Sequence, residues 1–143
     1  MKHRSVRIAV GVAAAAAILA TAAVYGLFHG YFDHGQFEIM RFQRSSTHQV
    51  AMVARRLDNR ALGGLEYYVL IGDHLFTPAE LRHAYYSKAV VLDVSRDCLT
   101  LRWDQPNRLT IGCSDSRITR DEINAQRRQV GNVVVSYQNI VIQ

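Results

Sequence analysis

The sequence predicts an α+β fold: one N-terminal transmembrane helix followed by a small, mainly antiparallel β-sheet domain with two short helices. Three observations predict it. Residues 8–28 carry no charge. Beyond residue 46, short stretches rich in Val, Ile and Tyr alternate with tight-turn signals. Two helix starts, at Thr77 and Thr119, each combine a capping box with a hydrophobic staple.

The uncharged run Ile8 to Phe28 holds 21 residues. As a helix it is about 31 Å long, close to the hydrocarbon thickness of a bilayer. Lys2, Arg4 and Arg7 precede it, and the stretch from His29 to Met40 has no Lys or Arg. The positive-inside rule then sets residues 1–7 in the cytoplasm, makes 8–28 a signal-anchor and carries everything after Phe28 across the membrane. The competing reading is a cleaved signal peptide and a secreted domain, with Ala20-Thr21-Ala22 as the small-x-small site. Gly11 with Ala15 and Ala22 with Gly26 stand four apart, a spacing that an Ala-rich segment produces readily.

Residues 29–46 read as a linker or a first strand leading into the domain, and 47–143 as the β-rich extracytoplasmic domain. Gln49 to Arg55 alternates, with Val50, Met52 and Ala54 on one face. Leu65 to Ile71 is a second strand, closed by Gly72-Asp73. Thr77, Pro78 and Glu80 are N-cap, first helical position and capping-box acid, while Phe76 and Leu81 hold the staple positions of a helix ending near Ser87. Ile118, Thr119, Glu122 and Ile123 repeat that grammar for a second helix from Arg120 to about Gln129, with Gly131 as its C-terminal cap. Further strands are expected at Ala89 to Val94, Cys98 to Trp103, Arg108 to Cys113 and Val133 to Ile142. Short connections between them favour antiparallel pairing with helices on one face.

Cys98 and Cys113 are the only cysteines, and both lie in the exported part, where oxidising conditions favour a bond. A four-residue loop, Asp104-Gln105-Pro106-Asn107, pairs Trp103 with Arg108 and sets Cys98 opposite Cys113. The apolar pattern favours a register shifted by one, with Leu101 against Ile111 or Leu109, and that shift sends the two cysteines to opposite faces unless a β-bulge intervenes.

Charge narrows the function. Three of the 17 basic residues precede the apolar run, whereas all 12 acidic ones come after it. The domain is nearly balanced and lacks the concentrated basic face of a nucleic-acid binder. No catalytic or cofactor motif stands out. Asp73, His74 and His83 form the strongest polar cluster, candidates for metal binding or acid–base work, against which a turn Asp and a surface His are the plainer alternatives. His29, Asp33 and His34 are a weaker candidate beside the membrane. Ser45, Ser46 and Ser114 lack a nucleophile-elbow context. Arg55, Arg56, Arg60, Arg127 and Arg128 are a candidate binding face for anionic headgroups or an acidic partner, or else an ordinary solvated surface. Tyr67, Tyr68, Tyr85 and Tyr86 are candidates for a ligand groove, though one of each adjacent pair is expected in the core.

The sequence therefore points to a membrane-anchored envelope protein with a non-enzymatic binding or structural domain. It would touch the lipid bilayer through its anchor, bind a protein partner in the envelope, and use neither nucleic acid nor a cofactor. The alternatives are a small metal-dependent or acid–base enzyme using Asp73, His74 and His83, and a lipid or cell-wall contact module using the arginines.

Overall fold

A computed structural model describes residues 2–28, 35–58 and 64–142, with side chains in the first helix described from Gly11 to Leu27. The chain divides into two units, Met1–Asp33 and His34–Gln143.

The first unit contains one helix, α1 (Lys2–Phe28). Among the described residues no helix is long and apolar enough to cross a membrane. The transmembrane helix expected over 8–28 is corrected accordingly. From Gly11 to Phe28 the helix holds eight alanines, two glycines and a threonine. Alanine is the best helix former, but its methyl adds little hydrophobic surface.

The second unit has three layers. Sheet one has the order β1-β2-β3-β4-β7, and sheet two the order β5-β6-β9-β8. Their strands are β1 (Gln36–Arg44), β2 (Val50–Leu57), β3 (Leu65–Gly72), β4 (Leu92–Val94), β5 (Leu99–Gln105), β6 (Arg108–Cys113), β7 (Ile123–Gln126), β8 (Gln129–Val130) and β9 (Val133–Gln138). The helix α2 (Pro78–Tyr86) lies between β3 and β4 in sequence. All pairings are antiparallel except β6 with β9. The α+β reading of this part agrees with the sequence.

Sheet one is covered on both faces. Val50, Met52 and Ala54 of β2 pack with Tyr68, Leu70, Leu81, Ala84 and Val90 on the helix side. Ala51 and Val53, pointing the other way, pack with Leu99, Leu101, Leu109, Ile111, Val133 and Val135 of sheet two. This is why β2 begins with five consecutive buried residues instead of a strict alternation. Leu81 and Ala84 are the buried residues of α2, and the helix ends in a Schellman motif. Ala89 N–H donates to the Ala84 carbonyl (3.0 Å) and Lys88 N–H to that of Tyr85 (3.3 Å), with Lys88 at φ 58°.

The second expected helix is absent. Arg120–Glu122 is a single 3₁₀ turn, and Ile123–Gln126 continues as β7 beside β4. The capping acid is in place, since Glu122 Oε2 accepts from Thr119 N–H and Oγ1–H, both at 2.9 Å. The segment beyond the cap lacks a helical stripe. Only Ile123 is buried, and the polar run Gln126-Arg127-Arg128-Gln129 offers no apolar residue one turn further on. Gly131, expected as a helix cap, instead turns the β8–β9 hairpin at φ 57°. The last strand stops at Gln138 because Asn139 takes φ 59°, after which Ile140 bridges to Ile118. Residues 36–44, read as linker or leading strand, form β1.

Cys98 and Cys113 form a disulfide with their Cα atoms 4.8 Å apart. The strands nevertheless adopt the shifted register, pairing Leu99 with Cys113, Leu101 with Ile111 and Trp103 with Leu109, with an irregularity between Trp103 and Gln105. The expectation that this register parts the sulfurs is corrected. Cys98 lies one residue before β5, where its N–H turns to the Arg96 carbonyl (3.2 Å) while its own carbonyl accepts from Ser114 N–H (2.9 Å). Strand alternation does not bind a residue outside the strand. The bridge closes a sequence separation of 15, for which chain entropy gives about 3 kcal/mol. Replacing both cysteines by Ser should lower stability by about that amount in denaturant melts and leave a folded domain. Native protein should show no reactive thiol before reduction; two labelled thiols would refute the bridge.

Candidate functional site

Asp73 and His74 sit in the turn after β3, and Glu80 in the first turn of α2. Thr77 caps the helix: its Oγ1 accepts from Glu80 N–H (3.3 Å), and Glu80 Oε2 accepts from Thr77 N–H (2.7 Å) and Oγ1–H (2.8 Å). The other Glu80 oxygen meets His74 Nε2 at 3.0 Å, and His74 Nδ1 meets Asp73 Oδ1 at 2.6 Å. The Phe76 ring lies 5.3 Å from His74 and against Gly72, where a Cβ would fall 2.6 Å from Cε1 of Phe76. A side chain at Gly72 would have to displace that ring.

His83 does not join this group. It lies in the last turn of α2, and Glu80, which the sequence marks only as a capping acid, takes its place. Hydrogen bonding to Thr77, first through its backbone N–H, brings the Glu80 carboxyl down to about 2. The hydrogen bond to His74 lowers Asp73, and those to Asp73 and then Glu80 raise His74. The two carboxylates favour the charged form of the ring over the neutral one. Among the described residues no group of three or more His, Cys, Asp or Glu is placed to hold a metal ion. Chemically the trio reinforces a helix start.

A second polar cluster lies under α2. Register places Arg56 opposite Glu66, and Tyr68 opposite Asp93. The Arg56 guanidinium reaches Glu66 at 3.6 Å and Asp58 at 3.4 Å, and stands over the Tyr85 ring at 5.8 Å. Tyr85 donates its hydroxyl to Glu66. Tyr68 is fully buried and Asp93 is 8% exposed. Burial, then the negative charge of Glu66, pushes the Asp93 carboxyl up to about 6. Sequence reasoning misses Asp93, although one acid inside the run Val90-Val91-Leu92-Asp93-Val94 is a visible signal. Tyr67 lies on the opposite face of the sheet from Tyr68, as neighbours on a strand must.

The candidate arginines are not gathered. Arg55 pairs with Glu38 on β1, while its neighbour Arg56 points inward to Glu66. Arg127 comes just after β7, three strands and about 14 Å from β2, and donates to the Lys88 carbonyl. Arg128 is exposed nearby, with its carbonyl accepting from Val135 N–H. Arg60, like His29, Asp33 and His34, lies outside the described residues. Ser45 Oγ shapes a turn by accepting from Thr47 and Gln49 N–H at 3.2 and 3.1 Å, Ser46 is exposed in the same turn, and Ser114 Oγ bonds to Asp115.

The remaining feature is β1, an edge strand. Past an irregularity between Ile39 and Arg41 its residues are exposed, including Phe42 at 47% and Met40 at 37%. Arg44 stands over the Phe42 ring at 6.0 Å. Arg41 crosses to β5, bonding the Leu99 carbonyl and Asp97 (3.1 Å), and Trp103 Nε1 donates to the Gln43 carbonyl at 3.2 Å. Between β1 and β5 runs an open groove of about 240 Å³ lined by Arg41, Phe42, Gln43, Thr100 and Leu101.

Thr77→Ala should cost about 1 kcal/mol in denaturant melts. Thr119→Ala should cost less, because no helix depends on it. In an NMR titration His74 should titrate above an ordinary histidine, and Asp73→Asn should bring its midpoint down; an unmoved midpoint would show that the carboxylate does not hold the ring. A raised His74 stabilises the fold at low pH, and that contribution is lost as pH rises through its folded midpoint. No protein-family model matches the chain, and neither a characterised protein nor a solved structure is found to be similar to it.

Proposed function

We propose that His34–Gln143 is an exported, non-enzymatic binding domain that takes a protein partner along β1. The observation that carries the reading is the outer half of that strand. Met40 and Phe42 stand in solvent on a nine-residue edge strand whose ladder is filled on one side only, by β2. Folded proteins usually blunt such an edge. Here the apolar pair is flanked by Arg41 and Arg44 and adjoins the groove toward β5. An extended segment with an apolar side chain for the groove and an acidic one for Arg44 suits that surface. Export is supported by the disulfide, which persists in oxidising compartments. The enzyme alternative draws no support from Asp73 and His74, which are engaged in the helix cap. The headgroup alternative draws none from arginines spread over separate strands and faces.

A photo-crosslinking residue at Phe42 should capture a discrete adduct in the exported fraction. The same residue at Leu65, exposed on β3, should not. Met40→Asp should weaken capture about tenfold, the size of a lost apolar anchor, without changing the melt. Equal adducts from both positions would remove β1 as the contact surface.

A further inference from the structure

Asp93 stands where a charge is hard to keep. It pairs across the ladder with Tyr68 on one side and Ala125 on the other. Its Oδ1 and the Tyr68 hydroxyl are both buried without a hydrogen-bond partner among the described residues. The groups facing it come from every neighbouring element: Glu66 and Tyr68 from β3, Arg56 from β2, Tyr85 from α2 and the Asn124 amide from β7. Of these only Arg56 is cationic, and its guanidinium is already shared by Glu66 and Asp58. An ionised Asp93 must give up water and stand beside Glu66 with a fraction of one counter-charge. A neutral Asp93 avoids both costs and gains an O–H to donate.

We propose that Asp93 is a proton-operated lock: neutral, it holds β4 against β3 beneath α2, and ionised, it loosens that corner of the domain. The direction comes from linkage. The folded carboxyl titrates at about 6 and the ordinary one at 3.8, so the folded domain holds the proton more tightly. The stabilisation is full below the ordinary value and is lost as pH rises through about 6. The carboxyls of Glu80, Asp73, Asp104, Asp121 and Glu122 are all held below their ordinary range and stay ionised above pH 5. His74 pulls the same way as Asp93 and has to be removed separately.

Denaturant melts of the full chain at pH 5 and pH 7, followed by circular dichroism, test the lock. The folding equilibrium constant should fall about tenfold between those values through Asp93. The fall should persist in His74→Gln and vanish in Asp93→Asn, which should also be more stable than the parent at pH 7. A fall unchanged in Asp93→Asn, or absent from His74→Gln, would overturn the lock. Should Asp93→Asn not fold, the carboxyl carbon of Asp93 can be titrated by NMR in the parent. A midpoint near 6 supports the lock, and one in the ordinary carboxylate range overturns it.

Discussion

Burial of the five-stranded sheet on both faces is the constraint on which the remaining structure depends. The central stretches of β2 and β3 have no solvent side: Val50, Met52 and Ala54 meet the helix layer, while Ala51 and Val53 meet the second sheet. A strand in that position must be apolar almost throughout, and its backbone polar groups must be paired within the sheet. The small side chains of Ala51 and Ala54 matter as much as the large ones, since they let α2 and sheet two approach while Met52, Tyr68 and Leu99 fill the remaining space. The helix is short and offers Leu81 and Ala84 as its buried residues, so its place depends on a firm start. Thr77, Glu80 and His74 supply that start at the exposed end, and the Schellman turn fixes the other.

The same constraint explains the polar corner under α2. Arg56, Glu66 and Asp93 share the helix-facing side of the sheet with Met52 and Leu70, further along toward the C-terminal end of the helix. Partial cover desolvates these groups without hiding them from one another, so their charges act at short range in a medium of lower dielectric than water. Arg56 answers Glu66 and Asp58 directly. Asp93, one strand further on, is left as the acid that responds to pH.

The sequence revealed local features well and long-range ones poorly. The helix start at Thr77, the β3 strand and the β5–β6 hairpin were legible because caps, β-branched runs and turns are written in consecutive residues. β7 was not. Its partner β4 is remote in sequence, and the capping signal at Thr119 is satisfied equally by one 3₁₀ turn, because a cap determines where a helix can begin and the apolar stripe after it determines whether it continues. At the N-terminus the uncharged, Ala-rich run was legible as a helix, whereas among the described residues no helix is long and apolar enough to cross a membrane. For the candidate site, Asp73 and His74 were legible and their true partner Glu80 was already in view in another role. Asp93 was missed because clustered polar residues are the more familiar signal, whereas its isolation among valines was the informative feature.

The disulfide shows why two correct local arguments can seem to conflict. The apolar face of β5 demanded that Leu101 and Trp103 oppose Ile111 and Leu109, and the redox argument demanded that Cys98 meet Cys113. Within one ideal ladder these are incompatible, because a shift of one residue reverses every side chain. The chain satisfies both by ending the ladder at Leu99. Cys98 then belongs to the preceding turn, where backbone hydrogen bonds to Arg96 and Ser114 set its direction independently of the pleat. At the far end, the irregularity beside Asp104 absorbs the odd residue of the loop, and the Asp104 carboxylate accepts from Arg102 Nε–H and Thr110 Oγ1–H. The hairpin keeps its apolar face intact because Cys98 and the irregularity stand at opposite ends of the paired segment, so that only one of the two cysteines has to follow the strand alternation.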